Sequence, residues 1–317
     1  MLNDLHGLLL IDKPKGVTSF HVIERIQRIL GERFNKKKRD LPKMGHGGTL
    51  DPFATGLLVL GVGHGVKLSR YLLESNKSYL ATMKWGSTTA SGDATDPIIQ
   101  SGGILPSSLT EIQSAADIMA SKPYLQTPPM HSAKKIDGQR LYELARKGLI
   151  VDRPAKECRL LQFQINAWDP QSQVANFSVE VTSGTFIRTL AQDLAVQMGG
   201  LAHLTELRRT QSGRFKILAA ATLEALEKEL DWTTLSCFVP FDEVLSSLPQ
   251  AQINTHEALS LIQGKQETLY PCLKNAGLLS EKRVALYQGK KLIAVAIRDE
   301  MDWGIERVFT TSSIPNS

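Results

Sequence analysis

KMGHGGTLDPFATG, residues 43–56, packs four glycines, one histidine and one acid into a single loop, and it runs straight into the apolar stretch GLLVLGVG at 56–63. A continuous apolar run of that length reads as a central strand covered on both faces. The glycines suggest a phosphate-cradling loop, yet Asp51 sits between Leu50 and Pro52 where a phosphate would be repelled. A residue before proline is pushed towards extended backbone, and flanking glycines let other backbone or a ligand come close. An acid held on such a loop suits a nucleophile or base. It also suits an aspartate that bonds its own turn, and composition does not choose between the two.

Working outward, GLLLID at 7–12 is a second buried strand, closed by the turn KPKG. Thr18 or Ser19 caps a helix whose apolar residues Val22, Ile23, Ile26, Ile29 and Leu30 recur at helical spacing, with Gly31 at its end. VKLSRYLLES is helical in period, SYLATMKW places Tyr79, Ala81, Met83 and Trp85 on one strand face, and STTASGDATDP reads as loop. Leu109 to Ala120 predicts a helix, NFSVEVTSG a strand, and FIRTLAQDLAVQMGG a long amphipathic helix after Gly184. Helices and strands mix without a βαβ rhythm, so the fold class is α+β. Phe241 to Pro249 reads as a boundary. Beyond it, a short helix (255–263), the hairpin signal RVALYQGKKLIAVAIRD and the strand ERVF predict a small β-rich barrel.

The chain has 317 residues, 37 Lys+Arg against 32 Asp+Glu, and a formal charge of +5. This basic excess leans towards a polyanionic partner. Three scattered cysteines, Cys158, Cys237 and Cys272, lack C-x-x-C pairing and point to a reducing compartment. No apolar run approaches membrane-spanning length, and the start of the sequence carries two acids rather than a basic targeting region. GVGHGVK at 61–67 has the glycine rhythm of a nucleotide loop but lacks the Ser or Thr after lysine and the third spaced glycine. His46 and His64 lack a third ligand, so no metal site is read here.

Five stretches occur in order: IDKPKGVTSF, GHGGTLDPFATG, NKSY, GTFIRTL and LRRT. Together they resemble the TruB family of tRNA pseudouridine synthases, which isomerise the T-loop uridine of tRNA, over roughly Gly7 to Pro240. The resemblance implies a pseudouridine synthase catalytic domain at 1–245, with a mixed, mainly antiparallel sheet flanked by helices. It also implies a T-arm-gripping insertion around 122–155, containing PPMHSAKKIDGQRLYELARKG, and a PUA-like RNA-binding domain at 246–317.

By matching positions, Asp51 falls on the catalytic aspartate, Tyr79 on the active-site tyrosine, and Arg188 on the arginine that pairs with the aspartate. Leu207 matches an apolar residue against the target base, and His46 the histidine beside the space the flipped uridine vacates. Lys13, with Pro14 in KPKG, is placed with the substrate-binding residues although its motif reads as support for the catalytic loop. Lys134 and Arg140, with Lys135, Arg146 and Lys147, would grip the T-arm. Lys36, Lys37, Lys38 and Arg39 would hold phosphates. Leu50, Leu57 and Leu58 would keep water away from the intermediate. Gly48 departs from a common bacterial threonine, and Phe186 from a common tyrosine.

The expectation is an enzyme without cofactor or metal, partnered by the tRNA T-stem-loop alone: a bacterial cytoplasmic monomer with no obligatory protein partner. Its rivals are a guide-RNA-dependent dyskerin-type synthase, a tRNA-binding folding chaperone and a nucleotide-dependent enzyme using GVGHGVK.

Overall fold

The computed structural model describes residues 5–309 except 133, 134, 137, 150 and 301, with backbone alone at 135, 136, 140, 142 and 146. The chain begins with β1 (Gly7–Lys13), α1 (Ser19–Phe34), β2 (Met44–His46), β3 (Thr55–Val62), α2 (Ser69–Glu74) and β4 (Lys77–Trp85). A ribbon of β5 (Ser87–Thr89) and β6 (Ile98–Ser101) precedes α3 (Leu109–Ala120). Next, β7 (Tyr124–Gln126) leads into an excursion holding the hairpin β8 (Lys135–Ile136) and β9 (Gln139–Arg140), then α4 (Leu141–Arg146). The excursion closes when β10 (Lys156–Cys158) pairs back on β7. There follow β11 (Leu160–Asp169), β12 (Val174–Val181), α5 (Ile187–Gln197), β13 (Ala202–Ser212), β14 (Phe215–Lys216), α6 (Leu223–Lys228) and β15 (Phe238–Pro240). The last part holds β16 (Gln250–Gln252), α7 (Thr255–Ile262), α8 (Leu269–Asn275), β17 (Arg283–Gln288), β18 (Lys291–Asp299) and β19 (Asp302–Val308).

The main sheet runs β11-β12-β4-β13-β3-β1-β15, with β2 added on β3 and β14 on β13. Every pairing in it is antiparallel except β13 with β3, which meet in parallel at Arg208↔Thr55 and Arg209↔Gly56. The mixed, mainly antiparallel sheet of an α+β fold is what the sequence predicted. Apolar β1 and β3 are buried on both faces, as runs without polar alternation require. Alternating β4 instead buries Tyr79, Ala81, Met83 and Trp85 and leaves Leu80 exposed. α3 packs on β11 and α5 on β13, and both helices bury an apolar face.

Three details differ from the sequence reading. α1 starts at Thr18, whose side chain accepts from His21 N, but it runs past Gly31 to Phe34 and is closed by Asn35 in the left-handed region at φ 49°. Asparagine tolerates that conformation, so the glycine was not needed as the stop. STTASGDATDP is not all loop, since it contributes β5. The expected barrel is an open sheet in the order β16-β17-β18-β19, and β19 is longer than ERVF.

The glycines of GVGHGVK serve packing. A Cβ on Gly65 would lie 1.8 Å from Gly7 O, so the segment after β3 can cross β1 only with hydrogen at that position. At 241–249 the two parts of the chain meet on an apolar seam: Phe241 packs edge-on against Phe309 (5.3 Å between centroids), and Leu292 N donates to Asp242 Oδ1 at 2.8 Å. The C-terminal sheet also has a separate core around Leu261, Leu273, Val284 and Ile293. Among the described residues no helix is long and apolar enough to cross a membrane.

Gly65→Ala should therefore destabilise the fold by about 1–3 kcal/mol, the usual range for overpacking. Urea unfolding followed by tryptophan fluorescence measures it, and a change below about 0.5 kcal/mol would show that β1 yields easily.

Candidate active site

The loop between β2 and β3 is tied down carbonyl by carbonyl. Arg209 Nη2 donates to Gly48 O at 3.1 Å and Nη1 to Thr49 O at 3.4 Å. Ser19 Oγ donates to Leu50 O at 3.1 Å and accepts from Leu50 N at 3.0 Å. Ala54 N reaches Asp51 O at 3.1 Å, closing a turn over Pro52 and Phe53. Gly16 N reaches Pro52 O at 2.8 Å, and Lys13 Nζ approaches the same oxygen at 3.4 Å. Five successive carbonyls thus have donors, four of them from three other segments and one from the loop's own Ala54. With its backbone so engaged, Asp51 presents its carboxylate to a cavity of about 360 Å³ between this loop, β4, β13 and the start of α5.

Arg188 crosses that cavity to meet it. Its Nε lies 2.8 Å from Asp51 Oδ2, while the arginine side chain is only 4% exposed. The rest of the guanidinium is engaged too: Nη1 donates to Ser91 O and lies 3.6 Å from Asp93 Oδ2, and Nη2 donates to His131 O at 2.7 Å. Buried Asp93 is held in turn by Ser91 Oγ at 3.1 Å, Thr95 N at 3.0 Å and Thr95 Oγ1. A buried guanidinium needs its charge matched and its donors filled, and this arrangement does both.

The sequence reading missed Asp93. Its only signal was an acid in a Gly/Ser/Thr/Asp loop, a pattern that elsewhere means a turn. Gln126 was missed as well. Its amide donates to Phe186 O at 2.9 Å and accepts from Phe186 N at 2.7 Å, linking β7, the root of the excursion, to the residue that opens α5.

Tyr79, Leu207 and Phe186 line the same cavity, so Asp51, Tyr79, Arg188 and Leu207 are brought together as expected. Of the three leucines expected to exclude water, only Leu50 lines it; Leu57 and Leu58 are core residues of β3. His46 is not among the lining residues. Its proton affinity is lowered by burial and by the charge on Arg209, and its Nδ1 is buried with no hydrogen-bond partner among the described residues.

Lys13 is corrected from a substrate-binding residue to a structural one. It is fully buried, with Nζ donating to Pro14 O at 2.8 Å and Val17 O at 2.9 Å beside Pro52 O, so nothing of it is left for a ligand. Lys77 lines the cavity, but its ammonium caps the end of α2 through Leu72 O, Leu73 O and Ser75 O. Ser132, 4% exposed on the cavity wall, carries a buried hydroxyl that has no hydrogen-bond partner among the described residues. Lys134 lies outside the described residues, and for Lys135, Arg140 and Arg146 only the backbone is described. Among the described residues no cluster of His, Cys, Asp and Glu is arranged to hold a metal.

Two family models match adjoining stretches of this chain: the TruB family pseudouridylate synthase N-terminal domain at residues 35–187 and the tRNA pseudouridylate synthase B C-terminal domain at 188–246. The chain belongs to the TruB family. It is 37% identical over 262 residues to the tRNA pseudouridine synthase B of Neisseria meningitidis, covering 83% of this chain and 81% of that protein. The namesake from Burkholderia lata is 35% identical over 309 residues, covering 98% and 92%. Among solved structures, a chain of a Cbf5-Nop10-Gar1 complex superposes with a TM-score of 0.68 at 22% identity, over 96% of this chain and 85% of that one. That likeness is one of fold. It spans the C-terminal β-rich part as well as the TruB catalytic part.

Burial lowers Lys13 and Lys77 from the ordinary 10.5 to about 8. Between these limits the unfolded chain binds more protons than the folded one, so the cost of burying the two cations is present in full below about pH 8 and is relieved as pH rises towards 10.5. Activity should run the other way, because a deprotonated Lys13 gives up a donor to the loop. We expect turnover to fall above about pH 8 in the wild type and that limb to be missing from the slower Lys13→Met; a limb kept by the variant would assign it elsewhere. Arg188→Met, which strands Asp93, should cost about 3 kcal/mol of stability and at least about 100-fold in turnover, read by denaturation and single-turnover kinetics.

Proposed function

We propose that this chain is a tRNA pseudouridine synthase that acts without a guide RNA on the T-loop uridine, position 55. The observation that carries the reading is the Asp51–Arg188 ion pair sharing one cavity with Tyr79 and Leu207. The names of its bacterial relatives, at 35–37% identity over most of the chain, support tRNA as the substrate.

Isomerisation breaks the C1′–N1 bond, turns the uracil and rejoins C1′ to C5, from which a proton then leaves. Asp51, paired with Arg188, holds one fragment as nucleophile, at C6 of the base or C1′ of the ribose. Tyr79 stacks on the uracil and its hydroxyl helps take the C5 proton, while Leu207 packs on the base. A base reaches this cavity by leaving the T-loop stack. Leu50, Leu73 and Ile187 in the cavity wall keep water from the intermediate. Ser132, a buried hydroxyl in want of a partner, hydrogen-bonds the flipped nucleotide.

In this reading residues 1–245 are the catalytic domain and 246–317 a PUA-like RNA-binding domain. The excursion around 122–155 grips the T-arm through Lys134 and Arg140, and the exposed loop at Lys36–Arg39 adds phosphate contacts with strong salt dependence. The enzyme works as a cytoplasmic monomer. The excursion favours stand-alone action over the guided alternative, since a guided enzyme does not need its own T-arm grip.

The pure protein should convert one uridine of a bare T-arm transcript, the one at the T-loop position, in base-resolution mapping. Dependence on a guide RNA, or a product elsewhere, would overturn the assignment. Asp51→Asn should bind tRNA as well as the wild type while releasing no tritium from C5-labelled uridine. A wild type that binds tightly yet releases none would make the protein a binding module. Ser132→Ala should lose about 5–30-fold in kcat/KM, the equivalent of about 1–2 kcal/mol for one hydrogen bond to the substrate.

A further inference from the structure

Arg209 is 2% exposed, yet among the described residues no carboxylate lies within ion-pairing distance of it. Its partners are all backbone. Nε donates to Leu57 O at 2.7 Å, and its two terminal nitrogens donate to Gly48 O and Thr49 O at 3.1 and 3.4 Å. These oxygens sit at opposite ends of the segment Gly48–Leu57, so one rigid guanidinium spans the mouth of the loop that carries Asp51. The backbone of Arg209 is equally committed. Gly56 has φ +98°, and a Cβ there would lie 2.4 Å from Arg209 O, so β3 and β13 touch at the point where the side chain turns back to the loop. A lysine gathers its three donors on one nitrogen where arginine spreads its donors over a planar fork, so a lysine does not reproduce the reach to oxygens at the two ends.

On the reading of this cavity as a pseudouridine synthase site, we propose that Arg209 is the positioning residue that fixes the Asp51 carboxylate at its reacting height, by closing the loop from Gly48 to Leu57 with a single guanidinium. It acts through the loop rather than on the substrate. The neighbouring ties distribute the work: the β2–β3 pairing and Gly47 N on Val59 O close the base of the loop, Ser19 and Lys13 hold its middle, and Arg209 is the side chain that joins Gly48 and Thr49 to Leu57. Loss of the fork leaves Asp51 tethered yet free to shift, and misplacement of a reacting group by about 1 Å costs on the order of 100-fold in rate. The cation also carries charge into the site, since it depresses the proton affinities of Lys13, His46 and Lys77.

The test compares full-length wild type, Arg209→Lys and Arg209→Met in three measurements on the same folded samples. These are single-turnover conversion of tRNA, the Kd for tRNA, and amide hydrogen exchange of the peptide covering residues 48–57. Wild-type conversion checks the underlying reading separately, because the exchange measurement needs no activity. The proposal requires Arg209→Lys to lose about 10–100-fold in single-turnover rate, with Kd within about twofold and exchange at 48–57 accelerated while the rest of the domain keeps its protection. Methylguanidinium should restore part of the rate to Arg209→Met. Unchanged loop exchange in Arg209→Lys overturns the proposal, as does exchange that rises across the whole domain, or a rate loss that follows Kd.

Discussion

The salt bridge from Arg188 to Asp51 is the constraint that the other contacts answer to. One buried guanidinium, carried by α5, receives oxygens from three separate stretches of chain: the loop with Asp51, the turn with Ser91 and Asp93, and the excursion at His131. Removing a cation this far from water carries a large desolvation cost, and it is tolerated because two carboxylates and two carbonyls surround it. The result is a carboxylate held by an ion pair while about a third of its side chain, 35%, stays exposed.

Rigidity comes from the backbone as well as from bulk. The loop of Asp51 sinks Leu50 and Phe53 into the core, and Arg209, Ser19, Lys13 and a turn hydrogen bond fill its carbonyls directly. Gly56 and Gly65 serve the same end by letting strands pass at distances that a methyl group would forbid. Buried lysines with lowered proton affinity are a consequence of this way of building: they are structural cations in a place with few anions.

Much of this was legible in the sequence because it is local. Apolar runs gave β1 and β3, alternation gave the buried face of β4, and periodicity gave α3 from Leu109 to Ala120. The sheet order was not legible, since the parallel meeting of β13 with β3 depends on contacts more than 150 residues apart. Asp51, Tyr79, Arg188 and Leu207 were placed by family wording, and the fold brings them to one cavity. Asp93, Gln126 and Arg209 escaped notice for a common reason. Each looks ordinary in its own segment and acquires meaning only when another segment arrives. Lys13 misled in the opposite direction, a charged residue in a known motif whose charge is consumed inside the protein.

The separation between Arg209 and the loop it closes, 161 residues at Gly48, has a temporal side. Synthesis delivers the acid early and its fastener late, and chains dominated by such distant pairings organise slowly. A nascent chain that stops short of residue 209 carries Asp51 on a loop that still lacks its arginine tie between Gly48 and Leu57. The ribosome, crowded with tRNA, therefore makes this protein next to RNA of the kind it modifies while the tool is still unassembled. Competence arrives when the second strand of the pair is threaded beside the first.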